Sequence, residues 1–167
     1  MKFNEALLKL NVAVMKKYPE AAFYEAQGYL VPNDSIGCNV DGTIDPQRFK
    51  LAYRKPTNQT VIATFDENEE PKLEVVKSPW LEDIVTTPYP PISIEQAIEV
   101  LVKKYGNDAV GEGPATYRHQ LFPGEAEPRY FIGNLGKLHT VNVYTLKVDV
   151  PAGGDNKVVK FVKKLFQ

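Results

Sequence analysis

A chain of 167 residues, 43% hydrophobic and 25% charged, has the balance of an ordinary globular protein of one domain or two small ones, which argues against disorder. A formal charge of −1 and a pI near 6.1 supply no basic face to displace phosphate counterions, so no nucleic-acid partner is expected. The single cysteine, Cys38, allows no intramolecular disulfide, and no run approaches the roughly 20 apolar residues of a bilayer span.

The chain opens on a helical pattern. Leu7, Leu10, Val14, Met15 and Tyr18 fall on one stripe with Asn11 inside it, and Pro19 ends it. Leu8 and Val12 add a second apolar flank, which predicts burial on more than one side and, from that, a homodimer through this helix. Glu5, Lys9 and Asn11 interrupt the apolar run, so the segment reads as mature structure rather than a signal peptide. A cytoplasmic protein is the expectation, or an exported one whose leader has been removed.

The stretch "LVPNDSIGCNVDGTIDPQ" is rich in turn formers and reads as a loop. Within it, "NVDGTID" resembles the nucleophile motif of haloacid-dehalogenase phosphatases, but Asn39 stands where that chemistry needs a carboxylate. Asn39, Asp41, Gly42, Thr43, Ile44 and Asp45 also fit the middle of a calcium loop. Gly37 and Arg48 occupy its first and twelfth positions, so the bidentate glutamate is missing. A turn is the simpler reading, with no metal or cofactor. Cys38 in the same loop has no base in a recognisable motif to activate it.

The period then changes from 3.6 to 2. "FKLAYR", "TVIATF" at 60–65 and "KLEVV" at 72–76 read as strands, with "DENEEPKLE" a solvated acidic hairpin tip that deters edge pairing. "SPWLEDIVTTPYPPIS" follows, where Pro79, Pro88, Pro90 and Pro91 forbid regular structure across most of its length. Trp80 and Tyr89 sit in this connector, placed to cover a seam or to anchor a partner.

A second helix begins at Ser93, capped by that residue with Gln96 completing a capping box. Ile94, Ala97, Ile98, Leu101, Val102 and Tyr105 form its stripe and Gly106 stops it. "ATYRHQL", "RYFIG", "HTVNVYTLKVDV" and "KVVKFV" at 157–162 read as strands, with a β-bulge expected between Val143 and Tyr144 and a hairpin turn at "VPAGGDNK". Neither His119 nor His139 has metal spacing; His119 shares an alternating face with Tyr117 and Leu121 and reads as a half-buried sheet residue.

The two helices superimpose at a shift of 94 − 7 = 87 residues, "KKY" on "KKY", and "TVIATF" meets "TVNVYT" at 140 − 60 = 80. The 87 − 80 = 7 extra residues are placed in the loop at 30–47. The fold class that follows is α+β: a tandem duplication of a helix and three to four antiparallel strands, with both helices on one face of the sheet. The expected units are 1–80, a proline-rich connector at 81–91, and 92–167, forming one two-repeat domain because each half alone hides too small a core.

"SIEQAIEVLVKKYG", followed by "PRYFIGNLGKLHTVNVYTLKV", resembles the PepSY-like small domains, whose unit is a helix with an S-x-E-x-A start and then strands. Tandem units of this plan resemble the β-lactamase inhibitor proteins. The resemblance implies a non-catalytic binding or inhibitory module and assigns no site residue. The expectation is therefore a module that engages a protein or peptide through its sheet or inter-repeat groove, with Trp80, Tyr89, Tyr117 and His119 as candidate binding residues. The alternatives are a small-molecule carrier or enzyme with a helix–sheet pocket around Tyr117, Arg118 and His119, and an assembly subunit.

Overall fold

The computed structural model describes residues 1–32, 41–106, 109–121, 127–133 and 138–149. In chain order the elements are α1 (Phe3–Lys17), β1 (Ala22–Leu30), the 3-10 turn η1 (Pro46–Arg48), β2 (Lys50–Arg54), β3 (Thr60–Phe65) and β4 (Pro71–Val76). Then come β5 (Asp83–Ile84), α2 (Ile94–Tyr105), β6 (Gly113–Gln120), β7 (Arg129–Ile132), β8 (His139–Asn142) and β9 (Val148–Asp149). Among the described residues all pairings are antiparallel, in a nine-stranded sheet of order β4-β3-β2-β1-β6-β7-β8-β9 with β5 beside β6.

α1 is followed by β1–β4 and α2 by β6–β9, each set running outward from the middle, with the short β5 of the connector beside β6; the first strands, β1 and β6, pair with each other at the centre. Both helices lie on the same face. Leu7, Leu10 and Val14 of α1 join one apolar cluster with Leu51, Tyr53, Val61 and Ala63, while Ile94, Ile98 and Leu101 of α2 join it with Ala115, Tyr117, Tyr130 and Val141.

The helix ends follow the expected chemistry. The Ser93 hydroxyl accepts from Gln96 N at 3.2 Å, and Gln96 Oε1 accepts from Ser93 N at 2.8 Å. Gly106 takes φ +86° and donates to Val102 O at 2.8 Å. At the start of α1, Phe3 N donates to Gly42 O at 3.0 Å, so the "NVDGTID" turn satisfies an otherwise unpaired helix N–H. The two helix N-termini are also tied together: Asn4 Oδ1 accepts from Ile94 N at 2.8 Å, and Asn4 Nδ2 donates to the Tyr130 hydroxyl at 2.9 Å.

Two expectations are corrected. β1 has no counterpart among the strands expected from the sequence, yet it is the central strand; a bulge between Phe23 and Glu25 shifts its apolar phase. "HTVNVYTLKVDV" is not one bulged strand. It folds back on itself between β8 and β9, because Asn142 Oδ1 accepts from Tyr144 N and Thr145 N at 2.8 and 3.0 Å, and Leu146 adopts φ +61°. The connector is irregular over most of its length, with Asp83 and Ile84 alone among its residues in a strand, paired with Gln120 and His119. Leu8 and Val12 on the second flank of α1 are 52% and 57% exposed, so within one chain the described residues leave that flank open. Cys38, the 150–157 turn and the 157–162 strand lie outside the described residues.

Gly28 in β1 leaves room for two rings. A Cβ there would stand 3.0 Å from both Phe3 Cε2 and Phe49 Cδ2, and those buried rings pack edge to face at 5.2 Å. Neither has room to yield, so Gly28→Ala is expected to destabilise by about 1–3 kcal/mol, measured as a lower urea midpoint with unchanged slope.

Candidate functional site

Among the described residues one face of the sheet is free of helices, and strand pairing arranges its side chains in two transverse rows. One row runs Glu74, Ile62, Ala52, Glu25, Arg118, Arg129, Asn142; the next runs Lys72, Thr64, Lys50, Gln27, Thr116, Phe131, Thr140, Asp149. Ile62, Thr64, Lys50, Gln27 and Thr116 are half-buried, as are Tyr24 and Tyr29 of β1 on the same side.

Three arginine–aromatic stacks stand on this face. The Arg48 guanidinium lies 4.1 Å from the Tyr29 ring centre, Arg54 lies 5.9 Å from Tyr24, and Arg118 lies 5.7 Å from Phe131. Arg48 is exposed, Arg54, Tyr24 and Tyr29 are half-buried, and Phe131 is buried.

Where the connector rounds the end of β1, an ionic cluster is enclosed. Arg118 Nε stands 2.5 Å from Asp83 Oδ1 and 3.9 Å from Glu25 Oε2, and Arg118 Nη2 donates to Glu82 O at 3.2 Å. Trp80 Nε1 donates to Asp83 Oδ2 at 2.7 Å, and Gln27 Nε2 donates to Glu25 Oε1. Glu25 and Asp83 are buried carboxyls sharing one guanidinium. Burial, with Asp83 as hydrogen-bond partner and neighbouring charge, raises the Glu25 pKa well above the usual carboxylate range, against the opposing pull of Arg118 and Gln27. The cluster fastens the connector to the sheet. Next to it, Arg129 Nη1 reaches Asp149 Oδ2 at 2.6 Å and Thr140 Oγ1 at 3.2 Å.

The candidate residues named from the sequence do not converge on one place. Tyr117 belongs to the opposite, helix-covered face, fully buried, with its hydroxyl donating to Thr87 O at 2.8 Å; burial pushes its pKa up to about 12. Arg118, the next residue, points to the helix-free face, so Tyr117 and Arg118 do not share a site. His119 is half-buried opposite Ile84. Trp80 covers the Asp83 carboxylate. Tyr89 reaches from the connector to the first half: it is 61% exposed, and its hydroxyl accepts from Asn11 Nδ2 at 2.9 Å, while Asn11 Oδ1 accepts from the Tyr53 hydroxyl at 2.5 Å. Asn11 in the apolar stripe thus bridges the first half to the connector.

The Asp41 and Asp45 carboxylates of the calcium-like string serve the backbone. Asp41 Oδ1 accepts from Thr43 N at 3.1 Å and Asp45 Oδ1 from Gln47 N at 3.0 Å, as a turn requires. Asn39 lies outside the described residues. Among the described residues there is no group of three or more side chains placed to hold a metal ion. Glu25 and Asp83 carry no mark in the sequence; their shared partner lies 118 − 25 = 93 and 118 − 83 = 35 residues away, and no local pattern points to them. No helix among the described residues is long and apolar enough to cross a membrane.

No protein-family model, curated protein or solved structure matches this chain.

Proposed function

We propose that this protein is a non-catalytic binding module that engages a protein or peptide through the helix-free face of its sheet. The observation that carries the reading is the set of arginine–aromatic stacks on that face, with Arg48, Tyr29, Arg54 and Tyr24 all reachable from solvent. Tyrosine and arginine are the side chains that most often carry interface energy, and a sheet fixes their spacing at little conformational cost. The resemblance to PepSY-like and β-lactamase-inhibitor modules agrees with such a role. The buried ionisable cluster Glu25–Asp83–Arg118 is closed by Trp80 and the connector and acts as a fastening.

Tandem duplication belongs to the same proposal. What supports it is the order of the sheet: each half places a helix and then four strands running outward from the shared β1–β6 pair. The connection between the first two strands of each half is longer in the first half, 49 − 30 = 19 residues against 128 − 120 = 8. That excess falls in the loop to which the helix and strand shifts assign it.

The test is capture of a partner from cell extract, followed by titration of the purified partner against wild type and Tyr29→Ala/Arg54→Glu. The double variant is expected to lose at least about thirtyfold in affinity, the weight of one interface hot spot, with its thermal melt unchanged. A partner held equally by both proteins, or none retained by wild type, defeats the reading.

A further inference from the structure

A second surface lies at the edge of the sheet. β4 has β3 on one side and, among the described residues, no strand on the other. Lys72, Glu74, Val75 and Val76 are exposed along it, and such an open ladder is a template for another strand. Beside it, Ala13, Lys16 and Lys17 of α1 and Pro71 and Leu73 of β4 line an open groove of about 470 Å³.

The sequence of this edge reads against itself. We infer that β4 pairs antiparallel with β4 of a second copy of this chain, centred on Leu73, so that two sheets join into one. In that register positions summing to 146 face each other: Leu73 meets Leu73, Lys72 meets the second copy's Glu74, and Pro71 meets its Val75. Both charged residues of β4, Lys72 and Glu74, then lie opposite a charge of the other sign.

Keeping the helices of both copies on the same side of the joined sheet requires an even sum, because a shift of one residue exchanges the faces. The two neighbouring even registers oppose like charges. A sum of 144 sets Lys72 against Lys72 and Glu70 against Glu74; a sum of 148 sets Glu74 against Glu74. The charge pattern therefore selects one register. On the helix side that register carries the second copy's Leu73 and Val75 toward the groove beside Ala13, Pro71 and Leu73, where apolar atoms and lysine stems receive them.

This inference concerns a different surface from the proposed partner face and stands without it. Light scattering and sedimentation of the full chain are expected to show a dimer. Because of the two-fold symmetry, Lys72→Glu alone or Glu74→Lys alone spoils both equivalent pairs and weakens the dimer by about tenfold or more, while the combined Lys72→Glu/Glu74→Lys restores it. Leu73→Cys in a Cys38→Ser background is expected to give a disulfide-linked dimer under mild oxidation. Lys72 and Glu74 are exposed, so the variants are expected to keep the wild-type circular dichroism. A monomer at every concentration overturns the inference. So does a dimer indifferent to both single reversals, or one dissolved by Leu8→Glu, which would place the contact on α1.

Discussion

Arg118→Met is expected to cost about 3–5 kcal/mol of folding stability, because it strands two buried carboxyls without their cation. The Arg118 guanidinium stands within 4 Å of both Glu25 and Asp83, and both carboxyls are buried. The loss is expected to be greatest at alkaline pH and to shrink in acid, where the stranded Glu25 carboxyl takes up its proton. The companion variant Glu25→Gln fixes the sign. A carboxyl whose folded pKa is raised contributes stability that is complete below its unfolded value, about 4.3, and is lost as pH rises through the folded value. Glu25→Gln keeps a neutral donor beside Asp83 and removes that loss. Its stability relative to wild type is therefore expected to improve steadily as pH increases above the unfolded carboxyl range. Denaturant melts of the three proteins across a pH series measure both effects; a pH-independent difference between wild type and Glu25→Gln would show that Glu25 titrates alike in the folded and unfolded chain and would overturn this account.

Phe3→Ala is expected to cost about 3–5 kcal/mol, the range for deleting a fully buried aromatic ring. Phe3 packs edge to face on Phe49 of the first half at 5.2 Å and on Tyr130 of the second at 6.0 Å, with no exposed surface. The ring is therefore a joint between halves, and its loss is expected to lower a single cooperative transition rather than split it in two. It also leaves space above Gly28. The cost of Gly28→Ala is expected to fall in the Phe3→Ala background, so the two changes together should cost less than their sum. Strict additivity would mean that the Phe49 ring alone limits the site.

The parts of this fold that can be read in advance are those whose signals are local. α2 carries its own start at Ser93 and stop at Gly106 with an unbroken stripe between them, and β3 is a compact run of β-forming residues from Thr60 to Phe65. β1 is illegible for three reasons, all supplied by distant residues. Its bulge between Phe23 and Glu25 breaks the alternation, Gly28 is small because Phe3 and Phe49 fill the space, and Glu25 is tolerated inside only because Arg118 and Asp83 meet it. The reading of "HTVNVYTLKVDV" as one strand fails at Asn142, whose side chain bonds backbone N–H groups two and three residues on and turns the chain. Of the candidate site, Trp80 and Tyr89 are legible as unusual aromatics in a proline-rich connector. Their partners, Asp83 and Asn11, are not, since hydrogen-bond partnership leaves no periodic trace.

Pairing β1 with β6 also fixes the order in which the molecule can be assembled. The outer hairpins, β2–β3–β4 and β7–β8–β9, join neighbours in the chain and close short loops. The middle of the sheet joins Glu25 to Arg118, 118 − 25 = 93 residues apart, and pays its loop-closure entropy before any of its contacts form. The most deeply enclosed strands are thus the last to find each other. Until they do, each half carries an unfilled strand edge that a neighbouring chain's other half matches equally well, so the same seam that completes the native monomer is the natural point for two chains to exchange halves.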